Sequence, residues 1–174
     1  MEYTDLIYDL PDYPEPGVVF KDITPLLGDP EGFESVVDGI ANEFRDVGVT
    51  KVIGSEARGF MIGAPVAYAL HAGFVPARKP GKLPRETVSQ SYELEYGHNT
   101  LEIHADALTP DDVVLIVDDL CATGGTIVAQ VKMVEKLGAK LAGIAYLMEL
   151  TFLNPREKLA AVTDAKIVSL VNVE

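Results

Sequence analysis

The chain has 174 residues, 48% of them hydrophobic, which is enough for one compact domain with a real core. Its 14 basic and 27 acidic residues give a formal charge of −13; that disfavours nucleic acid as a partner, because binding through phosphates rests on a basic surface. It leaves open a small anionic ligand held by a few local cations.

The lone cysteine, Cys121, excludes an internal disulfide and fits a reducing compartment. No apolar run approaches the roughly 20 residues that span a bilayer, so no membrane partner is expected. The start, MEYTDLIYDL, is acidic where a secretory signal is basic. The expectation is a cytoplasmic protein.

Taken in chain order, residues 29–48 place Phe33, Val36, Val37, Ile40, Phe44 and Val47 at helical spacing, with Gly48 able to close the helix. KVIG at 51–54 reads as a short buried strand, and 59–73 as a largely buried helix ended by Gly73. FVPAR at 74–78 follows as a strand whose Pro76 argues against a central position. Residues 79–99 turn polar and proline-broken, then alternate Tyr92, Leu94 and Tyr96 with Glu93 and Glu95. TLEIH at 100–104 can pair back across the GHN turn, which predicts a projecting hairpin. Strand 113–118, helix 125–137, strand 141–148, a short helix near 154–161 and strand 166–171 complete the pattern. Strands alternating with helices predict an α/β fold, a mostly parallel sheet flanked by helices, in a single domain over 1–174 with 79–104 as flexible loop and hairpin. Ligands of such sheets sit beyond the carboxyl ends of the strands. That rule gathers 55–58, 79–82 and 118–126 on one rim.

The segment VVLIVDDLCATGGT at 113–126 carries the chemistry. An apolar strand delivers Asp118 and Asp119 to the rim. Gly124 and Gly125 let backbone N–H groups converge, and Thr126 stands where a helix begins. Convergent amides at a helix N-terminus favour an anion, and the hydroxyls of Thr123 and Thr126 can add donors. No Gly-Lys-Ser/Thr follows and GxGxxG is absent, so neither common nucleotide loop applies. Two carboxylates before a phosphate cradle suit a ribose 5-phosphate, with Ala122, Thr123, Gly124, Gly125 and Thr126 facing the phosphate and Asp118 and Asp119 the hydroxyls. The alternative is a plain strand–turn–helix corner in which the aspartates cap the helix.

The whole segment resembles the phosphoribosyl-pyrophosphate (PRPP) motif of the type I phosphoribosyltransferases. YPEPGVVFKDITPLL at 13–27, GSEARGF at 54–60, RKPGKLP at 78–84, SYELEYG at 91–97 and MELTFLNPREKL at 148–159 extend the resemblance to the adenine phosphoribosyltransferase family over nearly the full length. Departures are Cys121 where leucine is usual, Lys21 where arginine is common, and Pro155 where glycine is common. The resemblance implies the type I phosphoribosyltransferase fold, with the hairpin as a lid and an N-terminal base-binding segment. It also implies purine salvage: adenine N9 displaces pyrophosphate from C1 of PRPP and gives AMP. Mg²⁺ is the implied cofactor, carried mainly by PRPP, and a homodimer the implied assembly.

By the same resemblance, Arg58 and Lys79 hold pyrophosphate and Lys82 closes over it. A non-proline cis peptide is implied within 55–58. Phe20 offers a face to adenine and Leu120 a wall opposite, while backbone groups of Val19 and Lys21 read the edge of the base. Val18, Val19 and Phe20 could equally be core packing of an N-terminal segment. Glu95 and Tyr96 are the implied catalytic pair on the lid, Glu95 hydrogen-bonding the purine; the competing reading of Glu95 is a solvent-facing position in an alternating strand. Cys121, near a helix N-terminus, is either an oxidisable thiol or a filler of space in the loop. A 6-oxopurine enzyme is the second enzymatic reading, and a PRPP-sensing regulator of DNA or RNA a third, for which no basic surface is present.

Overall fold

The computed structural model describes residues 3–94 and 96–174. Nine strands and five α-helices follow one another, with a short 3-10 turn at Tyr3–Leu6 and another at Thr151–Leu153 among the described residues. Strands β3 (Lys51–Ser55), β4 (Gly73–Ala77), β7 (Val113–Cys121), β8 (Lys140–Leu150) and β9 (Lys166–Val173) form one sheet in the order β4-β3-β7-β8-β9. Every pairing in it is parallel. β4 lies at the edge, where Pro76 removes no central hydrogen bond.

Both faces of this sheet are covered, so its strands read as continuous apolar runs rather than alternating ones. On one face, α1 (Thr24–Gly28), α2 (Pro30–Asn42) and α3 (Arg58–Ala69) pack Leu26, Ile40, Ile62 and Val66 over Val52, Leu115 and Ala145. On the other, α4 (Gly125–Lys136) and α5 (Pro155–Ala160) pack Ile127, Met133 and Leu159 over Ile53, Ile116 and Ile144. The hairpin of β5 (Thr87–Glu93) and β6 (His98–His104) joins this second face through Leu101 and Ile103.

Several boundaries differ from the sequence expectation. α2 stops at Asn42, short of Gly48, and Val47 is exposed. Asp29 caps its start by accepting from the Gly32 N–H at 2.7 Å. α3 ends at Ala69 rather than running to 73; His71 takes φ +55°, and Gly73 opens β4 opposite Lys51. β5 ends at Glu93, so Leu94 and Tyr96 belong to the turn and not to an alternating strand. A second hairpin went unread in the sequence: β1 (Tyr8–Pro11) pairs antiparallel with β2 (Val19–Asp22), and Phe20 sits opposite Leu10.

Candidate active site

β7 runs through Asp118 and Asp119 to Cys121, so both carboxylates belong to the strand itself and not to a loop after it. They are 5% and 6% exposed, an environment that carboxylates tolerate only with partners. Asp118 Oδ2 accepts from the Ser55 hydroxyl and its Oδ1 from the Asp119 N–H, each at 2.9 Å. Burial, then the charge of Asp119, lifts the Asp118 carboxyl well above the usual range. Gly59, in the first turn of α3, admits this arrangement, since a Cβ there would stand 2.9 Å from Asp118 Oδ1.

Asp119 Oδ2 meets Arg58 Nε at 3.1 Å. The same guanidinium lies 5.6 Å from the centre of the Phe20 ring, which Tyr13 buttresses edge-on at 5.3 Å. Arg58 therefore joins the strand-end carboxylates to the aromatic face of the N-terminal hairpin.

The 55–58 turn is tied to the next strand. The Glu56 N–H donates to the Ala77 carbonyl at 3.0 Å, and Glu56 Oε1 accepts from the Lys79 N–H at 2.7 Å. That bond from Lys79, with Arg78 beside it, holds the Glu56 carboxyl below its ordinary pKa. The Glu56–Ala57 peptide is cis, within the turn where the resemblance implied one. Gly81 is tethered in turn, its N–H donating to Glu102 Oε1 at 2.9 Å. Among the described residues neither Lys79 nor Lys82 has an ionic partner.

After Cys121 the chain turns through Gly124 at φ +90°, a conformation that suits glycine, and enters α4. Residues 120–127 alone enclose a hollow of about 90 Å³. It shares Leu120 and Thr126 with a cleft of about 440 Å³, where Arg58, Lys79, Asp118 and Asp119 meet Tyr92 of the hairpin. The three rim segments are thus brought together.

Other candidates lie apart. Lys82 is exposed and does not line the cleft. Tyr96 stands 88% exposed at the hairpin turn, and Glu95 lies outside the described residues. Val19 is half exposed on β2, and Lys21 directs its ammonium to Asp9 at 2.6 Å, in a separate groove beside Met148. Cys121 is buried against Tyr146, and burial pushes its thiol up to about 12, outweighing any pull from the helix N-terminus.

The Ser55 hydroxyl, Gly59, Tyr92 and His98 shape the site without having been assigned a role from sequence, which read in Ser55 only a backbone amide for pyrophosphate. Ser55 and Gly59 fall within the quoted GSEARGF, where a serine at a strand end beside a glycine-opened helix was the available signal. Tyr92 is another matter: its ring packs on Gly125, where a Cβ would stand 2.9 Å from Cδ2, and nothing in the alternation marks that contact. Among the described residues no cluster of three or more His, Cys, Asp or Glu side chains could hold a metal ion. The hard carboxylate oxygens of Asp118 and Asp119 fit Mg²⁺ arriving with oxygen ligands of its own.

The phosphoribosyl transferase domain family matches residues 27–172. An adenine phosphoribosyltransferase of Carboxydothermus hydrogenoformans is 54% identical over 171 residues, covering 98% of this chain and 99% of that one. The crystal structure of adenine phosphoribosyltransferase from Thermoanaerobacter pseudethanolicus superposes with a TM-score of 0.93 at 49% identity, covering 99% and 98% of the two chains. That of Saccharomyces cerevisiae, complexed with D-2,5-dideoxy-2,5-imino-altritol 1,6-bisphosphate and adenine, has a TM-score of 0.89 at 37% identity over 97% and 96%. With near-complete coverage and half its residues identical, the chain belongs to the phosphoribosyltransferase family and, within it, to the adenine phosphoribosyltransferases.

Proposed function

We infer that the protein transfers the 5-phosphoribosyl group of PRPP to adenine, releasing AMP and pyrophosphate. The observation that carries this reading is one cleft in which two buried carboxylates and two cations meet, adjoining the hollow formed by residues 120–127. N9 of adenine bonds to C1 of the ribose, the C1–O bond breaks with its electron pair on pyrophosphate, and the N9 proton is lost. Alignment and charge stabilisation then form most of the protein's contribution.

In this reading, backbone amides of 122–126 and the hydroxyls of Thr123 and Thr126 receive the 5-phosphate. Asp118 and Asp119 accept from the ribose hydroxyls. Arg58 and Lys79 take the pyrophosphate, with Lys82 reaching in from the tethered turn. Arg58 leaves Asp119 and Phe20 to do so, which frees a carboxylate and an aromatic face in one movement. Phe20 and Leu120 then sandwich the purine, and Val19 and Lys21 present backbone groups to its edge. A carbonyl there accepts from the 6-amino group and disfavours a 6-oxopurine, which would leave it unpaired. Glu95 and Tyr96, on the hairpin, close over the reacting centre and exclude water.

Mg²⁺ bound to PRPP neutralises charge on the leaving pyrophosphate. The proposed assembly is a homodimer, which Met61 and Tyr68 support, being exposed apolar residues seven apart on α3. No helix among the described residues is long and apolar enough to cross a membrane; a cytoplasmic location is supported by the single, buried cysteine.

The deciding experiment is isotope-labelled adenine with PRPP and Mg²⁺, scored for AMP, with hypoxanthine and guanine in parallel. AMP forming while the 6-oxopurines stay inert is the expected result. No AMP would remove the proposal.

A further inference from the structure

Behind the phosphate hollow lies a polar cluster that the reaction itself does not use. Glu149, near the carboxyl end of β8, pairs in register with Cys121, the last residue of β7 before the turn. Its side chain is 3% exposed. Arg156, in the first turn of α5, grips it with two nitrogens: Nε lies 3.2 Å from Oε1 and 3.0 Å from Oε2, and Nη2 3.0 Å from Oε2. The buried Tyr146 hydroxyl donates to Oε2 at 3.1 Å. The carboxylate is therefore saturated from one side by a planar fork, which only arginine supplies.

What this grip fixes is α5. Six residues are too few for a helix to persist on its own hydrogen bonds. The chain reaches α5 by a sharp reversal, with Asn154 at φ +52° and Pro155 in the first helical position. Besides the buried Pro155 and Leu159, the Arg156–Glu149 pair ties this short helix to the sheet through side-chain hydrogen bonds.

α5 in turn backs the glycine of the phosphate turn. A Cβ on Gly124 would stand 3.6 Å from both Pro155 Cβ and the Pro155 carbonyl oxygen, and 3.8 Å from Leu159 Cδ2. Gly124, at φ +90°, is the residue through which the chain turns from the wall of the hollow into α4. It is thus backed by a helix that the half-exposed Arg156 ties to the buried Glu149.

We propose that Glu149, Arg156 and Tyr146 form a positioning clasp that presses α5 against Gly124 and so sets the affinity of the phosphate hollow. This rests on the reading of residues 120–127 as the 5-phosphate site. None of the three touches substrate; each acts through the turn. Because the pair sits behind the phosphate hollow and away from Arg58 and Lys79, loosening it should weaken the sugar-phosphate end of the ligand and spare the pyrophosphate end. A general loss of stability would weaken both.

The test separates the two ends by calorimetry on the full chain, titrating ribose 5-phosphate and, separately, magnesium pyrophosphate. Glu149→Gln keeps an acceptor for Tyr146 but removes the charge that holds Arg156. Arg156→Lys keeps the charge but not the fork. Glu149→Gln is expected to raise the Kd for ribose 5-phosphate at least about tenfold, and Arg156→Lys by about threefold, with the pyrophosphate Kd of both within about twofold of the parent. Ribose 5-phosphate binding as tightly to Glu149→Gln as to the parent overturns the clasp, as does a parallel loss at both ends. Should Glu149→Gln not fold, Arg156→Lys decides by the same comparison. Failure of the parent chain to bind ribose 5-phosphate is a different result: it removes the phosphate site itself, and the clasp with it.

Discussion

At the carboxyl ends of β3 and β7 the polar groups are buried and tied to one another, whereas at the turn of the β5–β6 hairpin they stand in water. Asp118 and Asp119 are about one-twentieth exposed and anchored to Ser55 and Arg58; Tyr96 is 88% exposed and Leu94 45%. The aspartates of the rim are held in place before any ligand arrives, and in the proposed reaction only Arg58 changes partners. Only the tip of the hairpin is inexpensive to move, since its described residues Leu94 and Tyr96 are exposed while Leu101 and Ile103 anchor β6 in the core. Tyr92 is where the two meet, packed on Gly125 at the start of α4 while lining the cleft. A site that must admit two substrates and then exclude water needs both constructions.

Breaking the rigid side should cost most. Arg58→Ala removes the cation proposed to hold pyrophosphate and leaves Asp119 without its partner; we expect kcat/KM for PRPP to fall roughly 10²–10³-fold, measured by steady-state kinetics at saturating adenine. Asp118→Asn should lower kcat/KM by about 10- to 100-fold, the worth of a charged hydrogen bond, yet raise the melting temperature of the unliganded protein. The sign follows from the raised folded-state pKa of Asp118. The folded chain retains a proton that the unfolded chain gives up near pH 4. Stability therefore declines as pH rises from there through the folded value, and the asparagine removes that slope. A melting temperature below that of the parent at pH 7 would contradict this account of the rim.

The hairpin side should show smaller effects. Glu95→Ala is expected to slow turnover by roughly tenfold or more, the lower end of what a positioned acid–base group contributes; a parental turnover number removes its catalytic role. Gly125→Ala drives a methyl into the Tyr92 ring, an overpacking worth about 1–3 kcal/mol. It should appear as faster proteolytic cleavage at 94–97 while melting of the sheet hardly shifts. Cys121→Ser should leave activity unchanged, and the parent thiol should resist alkylation between pH 6 and 9, because a group titrating at about 12 stays protonated there.

The rim was legible in the sequence because its parts are local: an apolar strand, two aspartates, a glycine pair and a threonine within 14 residues. Its exact limits were not. Aspartate is a poor strand former, so the strand was read to 118 and not beyond; its pairing with β8 carries the ladder on to Cys121. β1 and β2 escaped notice for a related reason. Four residues each, separated by a stretch rich in Pro and Gly, carry too little periodicity to register. Arg58 parked over Phe20 was beyond reach, since it needs two segments brought together by the fold. The Glu149–Arg156 pair lies seven residues apart in the sequence, but only the bend at Asn154 turns one toward the other.

The cations of the cleft belong to a molecule whose formal charge is −13. Arg58 and Lys79 attract a polyanion only at short range; farther out, an approaching sugar pyrophosphate meets a net repulsive envelope. Dissolved ions damp that envelope over about 10 Å at 0.1 M while leaving close contacts stronger. Capture of PRPP should therefore quicken with modest salt before it slackens, the reverse of what a globally basic protein shows. The same envelope hastens expelled pyrophosphate outward, so the acidity that hinders arrival also clears the exit.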